Sequence, residues 1–406
     1  VAMSAERTKK GFEDLRADVV RTGLCTSCGT CVGVCAAKAI EMDYSLDEPL
    51  PKLTGRCTSC GACYDVCPGK DVPLRDLDRF FLGRERDEEK DPVGIFRSCY
   101  RGWATDPYVK ATSSSGGVVT GLCKFALDAG IVDAVIMAGW SQDEPARCAP
   151  MVATSAEEVE AAARSAMVIV PNNAALAEAV LREKHARVGV VGLPCHVHGL
   201  RKLQMKGQPK RLAESVKFII GLFCASTYYW EGIKHLVREF SDIRDIDEVE
   251  RLDYRGGQWP GGMYAVTKDA KVHFVASKHD YTWHFLGAGT FKRDRCLMCT
   301  DFSAELADVS CGDIFQPVKP GDRRIVATVT RTDVGEDLVT RAQEAGYIQV
   351  EPHDAMLIPA SGLGWESKKH AGMYRLIQRR EFGWPTPEYQ YEPKVVPLNR
   401  RLTFPS

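Results

Sequence analysis

At 406 residues the chain is long enough for two or three compact units with a sizeable core. A formal net charge of −1 gives no reason to expect nucleic acid, a lipid surface or a strongly acidic partner. "VAMSAERTKKGFEDLRADVV" is charged and lacks the apolar stretch of a secretory leader. No apolar run approaches the roughly 18 residues of a spanning helix, since "GIVDAVIMAGW" and "SVKFIIGLFCAS" are short and carry Asp133 and Lys217. A cytoplasmic or membrane-peripheral chain is therefore expected. There metal is a better account of the 16 cysteines than disulfides, because such compartments keep thiols reduced.

The first elements are two four-cysteine runs, "CTSCGTCVGVC" from Cys25 and "CTSCGACYDVCP" from Cys57, both spaced C-x₂-C-x₂-C-x₃-C. Three cysteines at i, i+3 steps wrap a loop around one corner of an iron–sulfur cube. The fourth starts a helix pointing away, so in the two-cluster ferredoxin arrangement it ligates the other cluster. Cys25, Cys28, Cys31 and Cys67 are thus expected to hold one [4Fe–4S] cluster, and Cys57, Cys60, Cys63 and Cys35 the second. Small residues between the ligands let backbone N–H groups approach the sulfides. Pro68 follows the second run as the pattern asks, whereas Ala36 takes that place in the first. Structural zinc is the rival reading, but it normally uses two C-x₂-C pairs rather than four evenly spaced sulfurs twice over.

Residues 71–95 are charged and punctuated by prolines, which predicts a linker between a ferredoxin unit over 1–70 and the larger remainder of the chain. From about Phe96 the pattern alternates. "GGVVTGLCKFALDAG" is predicted helical, "VDAVIMAGW" a buried strand, "SAEEVEAAARSA" a helix, "MVIVP" a short strand and "NNAALAEAVLREK" a helix. "ARVGVVGLP" is a further strand, "HVHGLRKLQMKG" a helix and "ESVKFIIGLFC" another strand. Such alternation predicts a mostly parallel sheet covered by helices. Residues 251–274 read as antiparallel strands with "RGGQWPGG" at a bend. After Gly346 the chain reads as Pro-rich and irregular, with one helix around 370–380. The units expected are 96–345 and a C-terminal extension over 346–406.

At the mouth of the first helix stand Ser113, Ser114, Ser115, Gly116 and Gly117. A helix start offers unpaired N–H groups and partial positive charge, and glycines let an anion reach the backbone. Phosphate or the electron-rich edge of a flavin would suit the turn, and so would an ordinary serine cap. It is neither a G-x-G-x-x-G fingerprint nor a Walker loop.

Of the remaining cysteines, Cys195 and Cys224 follow predicted parallel strands, where α/β sheets present their sites. "CLMC" adds Cys296 and Cys299, and "ELADVSCGD" adds Cys311. One C-x₂-C and two loop cysteines would complete a third cubane. Cys99, Cys123 and Cys148 read as buried apolar cysteines. His196 and His198 read as ordinary polar contacts, and His279 and His284 carry no assignment.

"ATSSSGGVVTGLCKFALDAGIVDAVI", "GLPCHVHGLRKL", "FIIGLFCAS" and "RCLMCTDFSAELADVSCGD" together resemble the coenzyme F420 hydrogenase/dehydrogenase beta subunit family. The resemblance runs from about Phe96 to Asp337. It implies FAD, and electron passage between a reduced deazaflavin and [4Fe–4S] clusters. It also implies Cys195, Cys224, Cys296 and Cys299 as the third ligand set, with Cys311 in reserve because many relatives have an aliphatic residue there. The turn at Ser113, Ser114, Ser115, Gly116 and Gly117 would hold the FAD. The fold expected is α/β (α+β), a bacterial-type dicluster ferredoxin followed by a mixed α/β flavoprotein domain. Lys202, Lys206, Lys210 and Arg211 are candidates for a basic groove that would take the deazaflavin tail, Lys206 and Lys210 above all.

The joined architecture looks like F420H₂-oxidising subunits of methanogen respiratory complexes and of sulfite reductases. It also resembles 7-hydroxymethyl chlorophyll a reductase. Three readings are open. In the first, hydride passes between coenzyme F420 and FAD, and single electrons reach other redox subunits of an electron-transfer complex. The second is a reductase of an organic substrate fed by ferredoxin. The third is a wiring subunit without its own substrate.

Overall fold

The structure, a computed structural model, describes residues 10–87, 90–144, 146–257, 261–282, 289–314, 325–360 and 363–394. In chain order the strands are β1 (Ile40–Asp43), β2 (Leu50–Leu53), β3 (Ser98–Ala104), β4 (Ala134–Trp140), β5 (Cys148–Ala153), β6 (Val188–Gly192) and β7 (Val216–Leu222). They continue with β8 (Val249–Gly256), β9 (Gly262–Thr267), β10 (Val272–Ser277), β11 (Val309–Asp313), β12 (Val326–Thr330) and β13 (Ile348–Pro352). Among the described residues these form a β1–β2 pair, a three-stranded sheet β10-β9-β8, and an eight-stranded sheet ordered β13-β3-β12-β11-β7-β6-β4-β5.

The middle of the large sheet is parallel. β4, β6, β7 and β11 run together, and β5, β12, β3 and β13 each pair antiparallel to a neighbour. "VGVVG" and "VKFIIGL" are apolar on both faces because helices cover both sides of a parallel sheet. Helices Val118–Asp128 and Asp333–Glu344 pack one face through Leu122, Phe125, Leu338 and Val339. Helix Pro194–Lys206 packs the other through Val197, Leu200 and Leu203. The expected α/β alternation is present and β8, β9 and β10 form the expected antiparallel strands, but the large sheet is mixed rather than mostly parallel, with three parallel and four antiparallel pairings among the described residues. The bend residues Gln258, Trp259 and Pro260 lie outside the described residues.

Five element readings differ from the sequence expectation. "MVIVP" is not a strand, and Val168 makes only an isolated bridge to Tyr228. Its carbonyls are engaged elsewhere: that of Val170 accepts from His196, and that of Pro171 stands against Gly29. β3 and β5 have mixed polarity that hid their period. Within the expected linker, helix Leu74–Leu82 buries Leu74 and Leu77. Beyond Gly346, β13 extends the sheet at β3.

The N-terminal unit shares a core with the large sheet. Phe12, Leu15, Val19, Leu24 and Val34 belong to the same buried cluster as Ile136, Val190, Leu200 and Leu203. Backbones meet closely there: a Cβ on Gly33 would stand 1.9 Å from the Asn173 carbonyl oxygen, and one on Gly29 2.6 Å from that of Pro171. Lys202 is buried and donates to the carbonyls of Cys67 (2.7 Å) and Asp71 (2.9 Å) and to the Asp71 carboxylate (3.0 Å). In the opposite direction, Asp47 accepts from the N–H groups of Trp230 and Glu231 at the start of helix Trp230–Phe240.

Gly199 tests this fit by the sign of its effect. In a helix interior Gly→Ala normally stabilises by about 1 kcal/mol. Here the new Cβ would lie 2.2 Å from Thr30 Oγ1, so Gly199→Ala should instead cost about 1–3 kcal/mol. The readout is thermal unfolding of the metal-loaded protein, and Thr30→Ala in the same chain should recover part of the loss. A rise in melting temperature would show that the contact is absent.

Candidate metal centres and the adjoining turn

Both four-cysteine loops fold alike. Ser27 and Ser59 adopt positive φ (54° and 51°), as do Gly29 and Gly61 (79° and 88°). This winding turns N–H groups toward sulfur, Ser27 N to Cys25 Sγ and Ser59 N to Cys57 Sγ, both at 3.4 Å. Gly69 N approaches Cys67 Sγ at 3.3 Å and Ala39 N approaches Cys35 Sγ at 3.4 Å.

Cys25, Cys28, Cys31 and Cys67 line one cavity with about 330 Å³ of atom-free space, walled by Leu15, Val19, Met42 and Pro51. Burial pushes the Cys25 thiol up to about 12 and the Cys67 thiol to about 11, and the neighbouring thiols add to the first effect. Cys63 is likewise pushed up to about 12, by burial and then by Cys60, Cys57 and Cys35. Each of the two expected crossed sets is therefore brought together. Cys60 is exposed, so the second set lies at the surface.

Four separate segments build a third cavity. Cys195 is the second residue of helix Pro194–Lys206, just beyond β6, where the helix terminus favours negative charge. Cys224 follows β7, with its N–H on the Phe302 carbonyl at 2.8 Å. Cys296 and Cys299 flank the end of the short helix Asp294–Leu297. All four line a space of about 450 Å³, together with Ile169, Leu193, Pro194, Thr26, His198, Arg293, Lys368 and Tyr389. Thr26 lines both this cavity and the first. Burial, then Cys28, Cys224, Cys296 and Cys299, pushes the Cys195 thiol well above its ordinary range. At Cys296 burial is outweighed by Arg293 and Lys368, which hold the thiol below its ordinary value.

Among the described residues no three His, Cys, Asp or Glu side chains converge on a single-ion site. The cysteines ring cavities instead, which suits a cube in which each thiolate takes its own iron. Buried thiols that repel one another on ionising are also relieved by metal, so the donor sets fit the iron–sulfur groups.

Cys311 does not line the third cavity. It is buried in β11 among Val118, Leu122, Val309 and Val326, with Sγ 3.9 Å from Thr328 Oγ1. Cys99, Cys123 and Cys148 are buried, the first two among apolar neighbours. His196 accepts from Leu193 N at Nδ1 (2.9 Å) and meets the Val170 carbonyl at Nε2 (2.8 Å), and burial lowers its pKa to about 4, so it is a neutral helix cap. His198 pairs with Asp301 at 2.9 Å beside the third cavity. His279 is exposed, and His284 lies outside the described residues.

The turn at 113–117 sits at the same edge of the sheet, because the Gly116 carbonyl accepts from Ala104 N at the end of β3. Gly117 (φ 81°) precedes helix Val118–Asp128, Ser113 Oγ donates to the Val109 carbonyl, and Ser115 Oγ donates to the Asp313 carboxylate at the end of β11. Arg255 (2.8 Å) and Lys278 (3.3 Å) reach the same carboxylate from the three-stranded sheet. Two partly buried cations on one carboxylate bring positive charge beside a helix start. That fits an anionic diphosphate or the electron-rich edge of a flavin. Asp313, Arg255 and Lys278 were missed from sequence, where their only trace was "CGD" after a strand and the flanking charges of β8 and β10.

Lys206 and Lys210 are exposed at the opposite edge of the sheet. Helix Pro194–Lys206 carries the chain roughly 16 Å from Cys195 before Lys206. Lys210 faces Glu214 at 3.8 Å. Arg211 donates to the Val180 carbonyl, and Lys202 is the buried tether described above. None of these cations adjoins the turn.

Burial pushes the Asp313 carboxyl up, but Arg255 and Lys278 overcome it and hold it below its ordinary value. A depressed folded-state pKa stabilises the protein above the unfolded value, near pH 4, and that contribution fades as pH falls further. Asp313→Ala should therefore cost about 3–5 kcal/mol at neutral pH, read by urea unfolding, and progressively less below about pH 4. A cost independent of pH would show that the carboxylate charge is not its source.

Comparison with known proteins agrees with this fold. Residues 24–72 match the model of the 4Fe-4S dicluster domain. Residues 99–177 and 185–355 match those of the N-terminal and C-terminal parts of the coenzyme F420 hydrogenase/dehydrogenase beta subunit. Coenzyme F420 hydrogenase subunit beta of Methanococcus voltae is 31% identical over 302 residues, covering 73% of this chain and 99% of that protein. The protein of the same name from Methanothermobacter thermautotrophicus is 29% identical over 304 residues, covering 73% and 99%. Among solved structures, a chain of the F420-reducing [NiFe] hydrogenase complex from Methanosarcina barkeri superposes with a TM-score of 0.59 at 22% identity, over 75% of this chain and 98% of that one, which shows a shared fold. With two family models in register and a relative matched over nearly its whole length, the chain belongs to the coenzyme F420 hydrogenase/dehydrogenase beta subunit family and carries an N-terminal 4Fe-4S dicluster domain.

Proposed function

We propose that this chain is an iron–sulfur flavoprotein electron-transfer subunit that exchanges hydride between coenzyme F420 and FAD and passes single electrons through [4Fe–4S] clusters to a partner subunit. One observation carries the reading: Cys195, Cys224, Cys296 and Cys299 ring a cavity that shares Thr26 with the cavity ringed by Cys25, Cys28, Cys31 and Cys67. Those two sets would hold the third and first clusters, and Cys57, Cys60, Cys63 and Cys35 the second. When bound, FAD converts a two-electron hydride into single electrons and the cubanes carry them one at a time.

The chain's own residues divide the remaining work. Ser113, Ser114, Ser115, Gly116 and Gly117 present a helix start to the flavin, while Arg255 and Lys278, aligned by Asp313, supply the local positive charge. Ile169, Leu193 and Pro194 wall the third cavity with apolar groups, which lowers the dielectric around the thiolates. The second set lies at the surface and is the side from which a partner redox subunit would exchange electrons. Among the described residues no helix is long and apolar enough to cross a membrane.

Anaerobic reconstitution should load about twelve irons per chain, the content of three cubanes. Cys296→Ser should remove one cluster's signal, whereas Cys311→Ser should leave all three. Reduced coenzyme F420 should bleach the bound flavin rapidly and NADH should not. Exchanging Ser115 for Ala together with Arg255 for Gln should weaken flavin retention. About eight irons with unchanged activity would defeat the third cluster. Fast bleaching by NADH, or none by either donor, would defeat the deazaflavin reading in favour of a ferredoxin-fed reductase or a wiring subunit.

A further inference from the structure

Arg293 stands between the first and third cavities. Its side chain is 1% exposed, among the most deeply buried large groups described. Nη2 donates to Ser27 Oγ at 2.6 Å and to the Cys25 carbonyl at 3.4 Å, and Nη1 donates to the Thr26 carbonyl at 3.3 Å. These acceptors all lie in the loop that opens the first four-cysteine run. On its other side Nη1 reaches Thr227 Oγ1 at 3.4 Å and Cys296 Sγ at 4.0 Å, and the guanidinium lines the third cavity. Nε completes the set on Glu48, which is partly open to solvent at 23%. Two other buried cations stand nearby, and Arg295 also lines the third cavity. Lys368 donates to the Cys296 carbonyl in the third set, and Arg295 reaches the carbonyls of Leu24 and Pro68 and the Tyr389 hydroxyl.

This arrangement needs an arginine. A guanidinium stays protonated in a protein interior and sends five donors along fixed directions, so one group can hold two loops at once, whereas an ammonium is a single point. The charge sits in low dielectric, where its field is weakly screened. Adding an electron to a thiolate-ligated cluster makes it more negative, and a fixed cation nearby favours that reduced form. The second set has no bond to Arg293, and its Cys60 is exposed to screening water.

We infer that Arg293 is a positioning residue shared by two metal centres: it raises the reduction potentials of the first and third clusters together, leaves the second unmoved, and has Glu48 as its counter-charge. The effect is electrostatic, with no bond made or broken and no proton transferred. The inference rests on the assignment of the two cysteine sets to clusters proposed above.

The test is a redox titration of the reconstituted full chain, followed by electron paramagnetic resonance, with the third cluster identified as the signal lost in Cys296→Ser. Arg293→Gln should shift two of the three midpoint potentials downward and leave the remaining one in place. Arg293→Lys should restore part of the shift by returning the charge without the fork. Glu48→Gln should move the same two potentials upward. Because Glu48 is at the exposed end of the pair, this variant decides the matter if Arg293→Gln fails to assemble. Unshifted potentials at full iron content, or movement of one cluster alone in both variants, would overturn the inference. A wild-type content of about eight irons would instead defeat the cluster assignment, and Arg293 with it, while about twelve irons with unmoved potentials defeats only the role of Arg293.

Discussion

The thiols that line the two neighbouring cavities constrain the rest of the fold, because ionising one buried sulfur raises the cost of ionising the next. Cys31 is affected by Cys67, Cys25 and Cys28, and Cys195 by Cys28 across the wall between the cavities. Such a group is stable only with positive charge among it or beside it. The protein places Arg293, Arg295 and Lys368 there, all buried, each anchored to backbone carbonyls of the metal-site loops or the adjoining N-terminal unit. The two arginines reach across to the N-terminal unit, at residues 24–27 and Pro68, while Lys368 holds the Cys296 carbonyl. The electrostatics of the sulfur sites and the docking of the two units are therefore served by the same side chains.

Docking also depends on the shared core and on glycines where backbones cross. An electron carrier works at fixed separation, and a unit that swung on a tether would vary it. Gly29, Gly33 and Gly199 each have no room for a side chain at the seam, so the N-terminal unit fits in one position. Beneath it the parallel strands bring their ends to one edge. Cys195 follows β6, Cys224 follows β7, Asp313 ends β11 and the 113–117 turn follows β3. Open α/β sheets present their sites at this edge. The proposed flavin turn and the third cysteine set share one edge because topology delivers both there.

How much was legible depends on how local each signal is. The dicluster domain was readable outright, since each N-terminal run places its four cysteines within eleven residues. The third set required the fold: Cys224 and Cys311 are both near strand ends in sequence, but Cys224 lies past the end of β7 whereas Cys311 stays within β11 and faces apolar side chains. "MVIVP" misled because an apolar β-branched run says nothing about where its carbonyls go. Lys206 and Lys210 stand apart from the 113–117 turn because a helix long enough to cover the sheet carries its last turn to the far edge. Arg255, Lys278 and Asp313 were hidden by separation, since no local pattern joins residues on different sheets.

Arg293 shows the same limit at finer scale. In "KRDRCLMC" three cations precede a C-x₂-C pair, and the sequence alone gives them equal claims. The fold separates them. Lys292 is partly exposed, Arg295 turns to the carbonyls of Leu24 and Pro68, and Arg293 alone of the three reaches both the 25–27 loop and Cys296 among the described residues. Glu48, its partner, comes from the turn between β1 and β2, a segment that carries no cysteine. A buried guanidinium whose carboxylate lies at the solvent side keeps most of its field directed inward, toward the two sulfur cavities, because water screens the exposed half of the pair. The N-terminal unit thus contributes more than ligands to the site beneath it: its β1–β2 turn supplies the counter-charge for the cation that its own first cysteine loop helps to hold.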